Sequence, residues 1–212
     1  MKKTILILLL MACVGTMAAM AAPLTPRQKQ QAVEAISRAV AGMETMQCTF
    51  VQTKHMSMLN DRLVSHGTMH YRQPDKLRWE YTRPYDYLFV FNGAKVYMGN
   101  RSRKNVIDTA SNRLFREIAG IMMNTVTGKA LADPESFSMD VEAEGQAWHV
   151  TLVPKKKEMR RMFQRVVLVF NRADAAILGV NIYEKNGDLT EIQMSDVTKN
   201  AKIDEARFAI PL

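Results

Sequence analysis

The amino-acid sequence predicts an α+β fold: a strongly curved antiparallel β-sheet, an incomplete β-barrel, with helices covering its concave apolar face. Three observations carry this expectation. Leu77, Trp79 and Tyr81 alternate with Arg78 and Glu80, the period-two pattern of a half-buried strand. Segments of strand character recur along most of the chain, two of them joined through Asn92-Gly93 and two through Asn186-Gly187. Only two stretches carry a helical period instead, so two helices are available to cover one sheet.

The first 21 residues read as a secretory signal peptide and not as part of the fold. Lys2 and Lys3 precede an apolar run from Thr4 to Gly15, and Ala19-Met20-Ala21 places small residues at the cleavage positions. Cleavage after Ala21 leaves residues 22–212 as one domain of about 190 residues, long enough for a sizeable core. Leu10-Met11-Ala12-Cys13 also has the form of a lipobox, in which Cys13 would be lipidated and become the first residue of a membrane-anchored protein. The residues after Cys13 stay small and apolar where a lipoprotein begins a polar tether, so a soluble exported chain is the expectation. Export leaves Cys48 as the lone cysteine, and stability must come from packing without a disulfide. The formal charge of +8 falls to +6 once the two leader lysines are removed. A basic exported protein suits anionic lipid headgroups or acidic partners, whereas export makes nucleic acid an unsuitable one.

After the leader, Pro26 sits near the start of a helix whose apolar positions are Ala32, Val33, Ile36, Ala39, Val40 and Met43. Strands are expected over residues 47–55, 63–71, 76–81 and 87–91, then, through a two-residue type I′ turn at Asn92-Gly93, over 94–98. Residues 112–131 form the second helical stretch, with Leu114, Phe115, Ile118, Met122 and Val126 at helical spacing. Later strands are expected over 148–153 and 163–170, flanking a basic loop, and over 177–184 and 189–197. The loop runs Lys155-Lys156-Lys157-Glu158-Met159-Arg160-Arg161, and suits either plain solvation or contact with an anionic surface.

The faces of these strands point to an apolar cavity. Leu77, Trp79 and Tyr81 share one side, and Met69 and Tyr71 join them from the preceding strand, with Phe50 from the one before. Phe89 and Phe91 belong to a strand that is apolar on both faces, and Met98 lies on the next. Large side chains of this kind fill a core or line a binding surface. Twelve methionines follow residue 21, and methionine adapts to varied apolar shapes. Leu114, Ile118 and Met122 are the candidates for the inner side of a helical lid.

The order of several blocks resembles the LolA family of outer-membrane lipoprotein carriers. Met46-Gln47-Cys48-Thr49-Phe50-Val51-Gln52 is similar to its first strand, and Gly67 through Pro74 to its glycine, basic and proline block. Leu77 through Pro84, Val90 through Tyr97 and Ile203 through Phe208 follow in the family's order. The resemblance implies an open barrel with a helical lid around lipoprotein acyl chains, working in the periplasm. It implies loading from an inner-membrane ABC transporter, delivery to an outer-membrane receptor, and a monomer that is no enzyme and uses no cofactor. A membrane-anchored receptor or envelope-stress sensor of the same fold is the alternative. In that family an arginine directly before the proline bonds to the lid. Here Gln73 holds that position and Arg72 precedes it, so these two are the latch candidates.

Other chemistry finds little footing. His66 and His70 share a strand face but stand about 13 Å apart, too far to hold one metal. His55 and His149 have no ligand spacing, Cys48 lacks a CxxC partner, and no serine sits in a G-x-S-x-G context.

Overall fold

The structure is a computed structural model and describes residues 23–59, 61–100, 102–111, 123, 131 and 133–211. Helix α1 (Pro26–Ala41) starts as its sequence dictates. Thr25 Oγ1 accepts the Gln28 N–H and the Gln28 side chain accepts the Thr25 N–H, while Pro26 occupies a first-turn position where no amide hydrogen is needed. Its apolar stripe buries Ala32 and Ile36 completely.

Among the described residues eleven strands form one antiparallel sheet. They are β1 (Thr45–Met56), β2 (Asp61–Arg72), β3 (Lys76–Arg83), β4 (Tyr87–Asn92), β5 (Lys95–Gly99), β6 (Lys104–Asp108), β7 (Phe137–Glu144), β8 (Ala147–Pro154), β9 (Phe163–Asn171), β10 (Ile177–Glu184) and β11 (Leu189–Lys199). The order is β6-β5-β4-β3-β2-β1-β11-β10-β9-β8-β7. Two meanders are therefore joined by the pairing of β1 with β11, and β6 and β7 are the outermost strands among the described residues. The sheet is an open barrel, as the sequence predicts.

One face is continuous with the core. Ala32 and Ile36 of α1 belong to the same buried cluster as Met46, Phe50, Trp79, Leu168 and Val180 from both halves of the sheet. We call this the inner face. On the outer face a 3₁₀ turn (Glu205–Phe208) packs against β3 and β4. Arg72 and Lys76 both bind the Glu205 carboxylate, the Arg78 guanidinium donates to the Arg207 carbonyl at 3.2 Å, and Asn92 donates to the Phe208 carbonyl at 3.2 Å. Phe208 is buried there, as are Val90 and Tyr97 of the outer face, so β4 is covered on both sides.

Three local features differ from the sequence reading. The Asn92-Gly93 connection is no type I′ turn, because Gly93 alone has a positive φ (67°) and the type needs two such residues. Phe91 pairs with Val96, leaving four residues between, and the Gly93 N–H is drawn to the Asp75 carbonyl at 2.9 Å. The basic connection before β9 holds a short helix, α2 (Lys157–Met162), because Met159 tucks into the core and winds the segment round it. Edge strands β6 and β7 were not predicted. β7 turns Ser138, Asp140, Glu142 and Glu144 outward, whereas the short β6 carries an exposed Val106 on that face and Asn105 on the inner one.

Candidate functional site

The inner face between β1 and β5 carries an aromatic wall built by register. Cys48 pairs with Met69, Met69 with Trp79, Trp79 with Phe89 and Phe89 with Met98, one row across five strands. A parallel row runs from Met46 through Tyr71, Leu77 and Phe91 to Val96. Side chains directly opposite one another on one face touch, so the predicted candidates Met69, Tyr71, Leu77, Trp79, Phe89 and Phe91 form one buried surface. Tyr81 and Met98 are half-buried and pack against it.

Phe50 closes the row in an unusual way. Its cross-strand partner on β2 is Gly67, which has no side chain to fill the space. A Cβ on Gly67 would stand 2.4 Å from Phe50 Cζ and 2.1 Å from the Glu80 carbonyl oxygen. The missing side chain lets the Phe50 ring cross β2 and reach β3. There it stacks on Trp79 at 4.2 Å between centroids and meets Tyr81 edge-on at 5.4 Å. Tyr81 meets Tyr87 at 6.3 Å, and the Tyr87 and Tyr85 rings are exposed, so the aromatic row runs out to solvent. Offset and edge-on pairs of this kind add about 0.5–1.5 kcal/mol each beyond the area they bury.

A small polar island borders the wall. Tyr81 Oη donates to Gln52 Oε1 at 2.9 Å, and burial pushes the Tyr81 phenol above its ordinary range. Ser65, opposite Gln52, is fully buried, and its Oγ has no hydrogen-bond partner among the described residues. Sequence reading missed Gln52, Ser65 and Tyr87. Tyr87 was recoverable, since it lies directly across from Tyr81 once the β3–β4 register is drawn. A depression of about 310 Å³ opens on the outer side of β3 to β5, beside Glu80, Leu88, Tyr97 and Lys104. It shares only Tyr81 and Tyr87 with the wall and points away from it.

The lid candidates Leu114, Ile118 and Met122 lie outside the described residues. Two neighbours in that stretch, Met123 and Leu131, are described, and both are buried in the cluster that holds the wall and α1. Of the latch candidates, Arg72 lies on the outer face, donating to Glu205 and, at 3.0 Å, to the Ile203 carbonyl. The Gln73 amide donates to the Met43 carbonyl between α1 and β1, and its N–H donates to the Glu44 carbonyl at 2.8 Å.

Cys48 sits inside the wall, and burial, with the Asp196 carboxylate second, pushes its thiol from 9.0 up to about 12. A folded-state value above the unfolded one stabilises the fold fully below about pH 9 and is lost as pH rises toward 12. Between pH 8 and pH 10 the wild type should therefore lose about 1.4 kcal/mol more stability than Cys48→Ala, read from urea midpoints. Equal losses would contradict a buried neutral thiol. Among the described residues no three His, Cys, Asp or Glu side chains gather as metal ligands.

A family model described as "Outer membrane lipoprotein carrier protein LolA" matches residues 41–211. Among curated relatives, an outer-membrane lipoprotein carrier protein of Methylococcus capsulatus is 27% identical over 165 residues, covering 77% of this chain and 76% of the relative. One from Chromobacterium violaceum is 25% identical over 199 residues, covering 92% and 90%. Among solved structures, an uncharacterized conserved protein from Thermus thermophilus shares the fold with a TM-score of 0.52 and 12% identity, covering 84% of this chain and 91% of that one.

Proposed function

Because the chain belongs to the LolA family of outer membrane lipoprotein carrier proteins, we propose that it is a periplasmic carrier that binds lipoprotein acyl chains on its inner face and ferries them from the inner to the outer membrane. The observation that carries this reading is the aromatic wall, an apolar surface continuous over five strands and open to solvent at Tyr87. Burying hydrocarbon contributes about 0.8 kcal/mol per CH₂, so one long acyl chain gains on the order of 10 kcal/mol at most. That is enough to hold a lipid anchor in water, and the same surface must give it up again.

Residues 112–131 act in this reading as the cover that alternates between the wall and the cargo. The burial of Met123 and Leu131 in the wall's own cluster supports such a cover. An empty carrier with its cover packed on the wall and a loaded one with acyl chains in its place are two states of comparable energy, which is what release requires. The protein performs no chemistry on its cargo. It works as a monomer after removal of residues 1–21, loaded by an inner-membrane ABC transporter and unloaded by an outer-membrane receptor.

The test is a release assay. Spheroplasts that retain newly made lipoproteins are incubated with the purified chain, and the soluble fraction is examined for lipoprotein bound to it. Release of lipoproteins in complex with the chain is the expected result. Lipoproteins that stay on the membrane, with an authentic carrier active in parallel, would overturn the reading.

A further inference from the structure

Three turns at one end of the barrel are tied together. Ser57, in the β1–β2 connection, donates from Oγ to the Asn186 carbonyl at 3.1 Å and from its N–H to Asp188 Oδ1 at 3.0 Å. The Lys185 N–H in turn donates to the Met162 carbonyl at the end of α2, at 2.9 Å. Asp188 also sits 3.5 Å from Lys54 Nζ, and the backbone hydrogen bond from Ser57 holds its carboxyl below the usual range. The β1–β2 tip, the β10–β11 turn and α2 thus form one connected rim.

What this rim presents is unusual for a surface. Met58 is 89% exposed and Leu59 70%, consecutive at the tip, and Met162 at the end of α2 is exposed too. The same end of the barrel carries the exposed Arg62, Lys156, Lys157, Arg160, Arg161 and Lys185. Against these six and Lys54 stand Asp61, Glu158, Asp133, whose carboxyl feels the Lys156 charge, and Glu184 and Asp188, both paired with Lys54, so positive charge is in excess. Exposed apolar side chains at a turn, on an end of the barrel with excess cations, match the chemistry of a membrane interface, where hydrocarbon enters the headgroup zone and cations meet lipid phosphates. A flat acidic protein surface would satisfy the cations but leave Met58 and Leu59 without an apolar partner.

We propose that this rim docks on an anionic phospholipid bilayer, Met58 and Leu59 entering the headgroup layer while the basic side chains of α2 and the flanking turns engage lipid phosphates. The contact is peripheral and reversible. Each basic residue near such a surface is worth about fivefold in partition, and the gain fades as salt screens it. The rim lies apart from the aromatic wall, so docking does not depend on the carrier reading.

The test is sedimentation of the mature chain with vesicles of phosphatidylcholine alone or with about one third phosphatidylglycerol. The chain should pellet with the anionic vesicles, remain in solution with the neutral ones, and be released by high salt. Met58→Asp/Leu59→Asp and, separately, Lys156→Glu/Arg160→Glu should each lower partition by roughly tenfold or more. Lys95→Glu/Lys202→Glu makes the same charge change at exposed positions away from the rim and should retain at least half of wild-type binding. All six positions are exposed, and circular dichroism should show unchanged folding. Equal binding to neutral vesicles, an unaffected Met58/Leu59 pair, or an equal loss in the Lys95/Lys202 control would each overturn the proposal. So would binding to polyglutamate but not to anionic vesicles.

Discussion

Gly67→Val is expected to destabilise the fold by about 3 kcal/mol or more, because overpacking here has no soft neighbour to displace. A Cβ at this position meets the Glu80 carbonyl at 2.1 Å, which is the backbone of the adjoining strand, and the Phe50 ring at 2.4 Å. Relief requires β3 to move from β2 and the Phe50 ring to leave its stack on Trp79. Removing the ring as well, in Gly67→Val/Phe50→Ala, should not rescue the protein, since the backbone contact remains. Urea or thermal melts measure both variants. A Gly67→Val protein as stable as wild type would mean that neither the Glu80 carbonyl nor the Phe50 ring approaches position 67 this closely.

The second large effect concerns binding without loss of folding. Met98 lies in the row of Trp79 and Phe89 but is only half-buried, at the end of the wall nearest the edge strand. Met98→Asp places a carboxylate on the surface that acyl chains would cover. In the free protein that carboxylate keeps water, so the melting temperature should move little. In the loaded protein it loses water, at a cost of several kcal/mol. Affinity for a triacylated lipopeptide should therefore fall by about a hundredfold or more, the equivalent of roughly 3 kcal/mol. Binding measured by calorimetry beside a thermal melt separates the two terms. Unchanged affinity would move the acyl chains off this part of the wall.

The wall was legible in the sequence because its signal is local. Leu77, Trp79 and Tyr81 alternate with charged residues within one strand, and period two assigns them to one face without knowledge of the partner strands. The order of strands β1 to β5 followed from short turns for the same reason. What escaped depends on distant segments. The pairing of β1 with β11 joins residues about 145 apart, and no local pattern announces it. The crossing of β2 by Phe50 needs the register that sets it against Gly67, and Gly67 alone reads as a weak strand residue. Arg72 was read as a latch candidate by its neighbourhood to Pro74. Its bond to Glu205 spans 133 residues and was invisible from either end. β6 is five residues long and mostly polar, so hydrophobic periodicity had little to register there, whereas β7 alternates Phe137, Met139, Val141 and Ala143 with polar residues and was legible but passed over. The rim escaped for a related reason: the β1–β2 tip and α2 are about 100 residues apart in sequence and come to one end of the barrel only through the bonds of Ser57, Asn186 and Lys185.

If acyl chains lie on the wall that contains Trp79, the emission of that indole must report their arrival. The chain has two tryptophans, so the measurement uses a Trp148→Phe background, titrated with a triacylated lipopeptide while sedimentation records binding independently. Trp79 is 6% exposed and stacked on Phe50, and hydrocarbon arriving on that face must alter its surroundings. A saturable change in Trp79 emission is expected, following the bound fraction and lost, together with binding, in Met98→Asp. An emission spectrum that stays constant while the lipopeptide binds to saturation would contradict it.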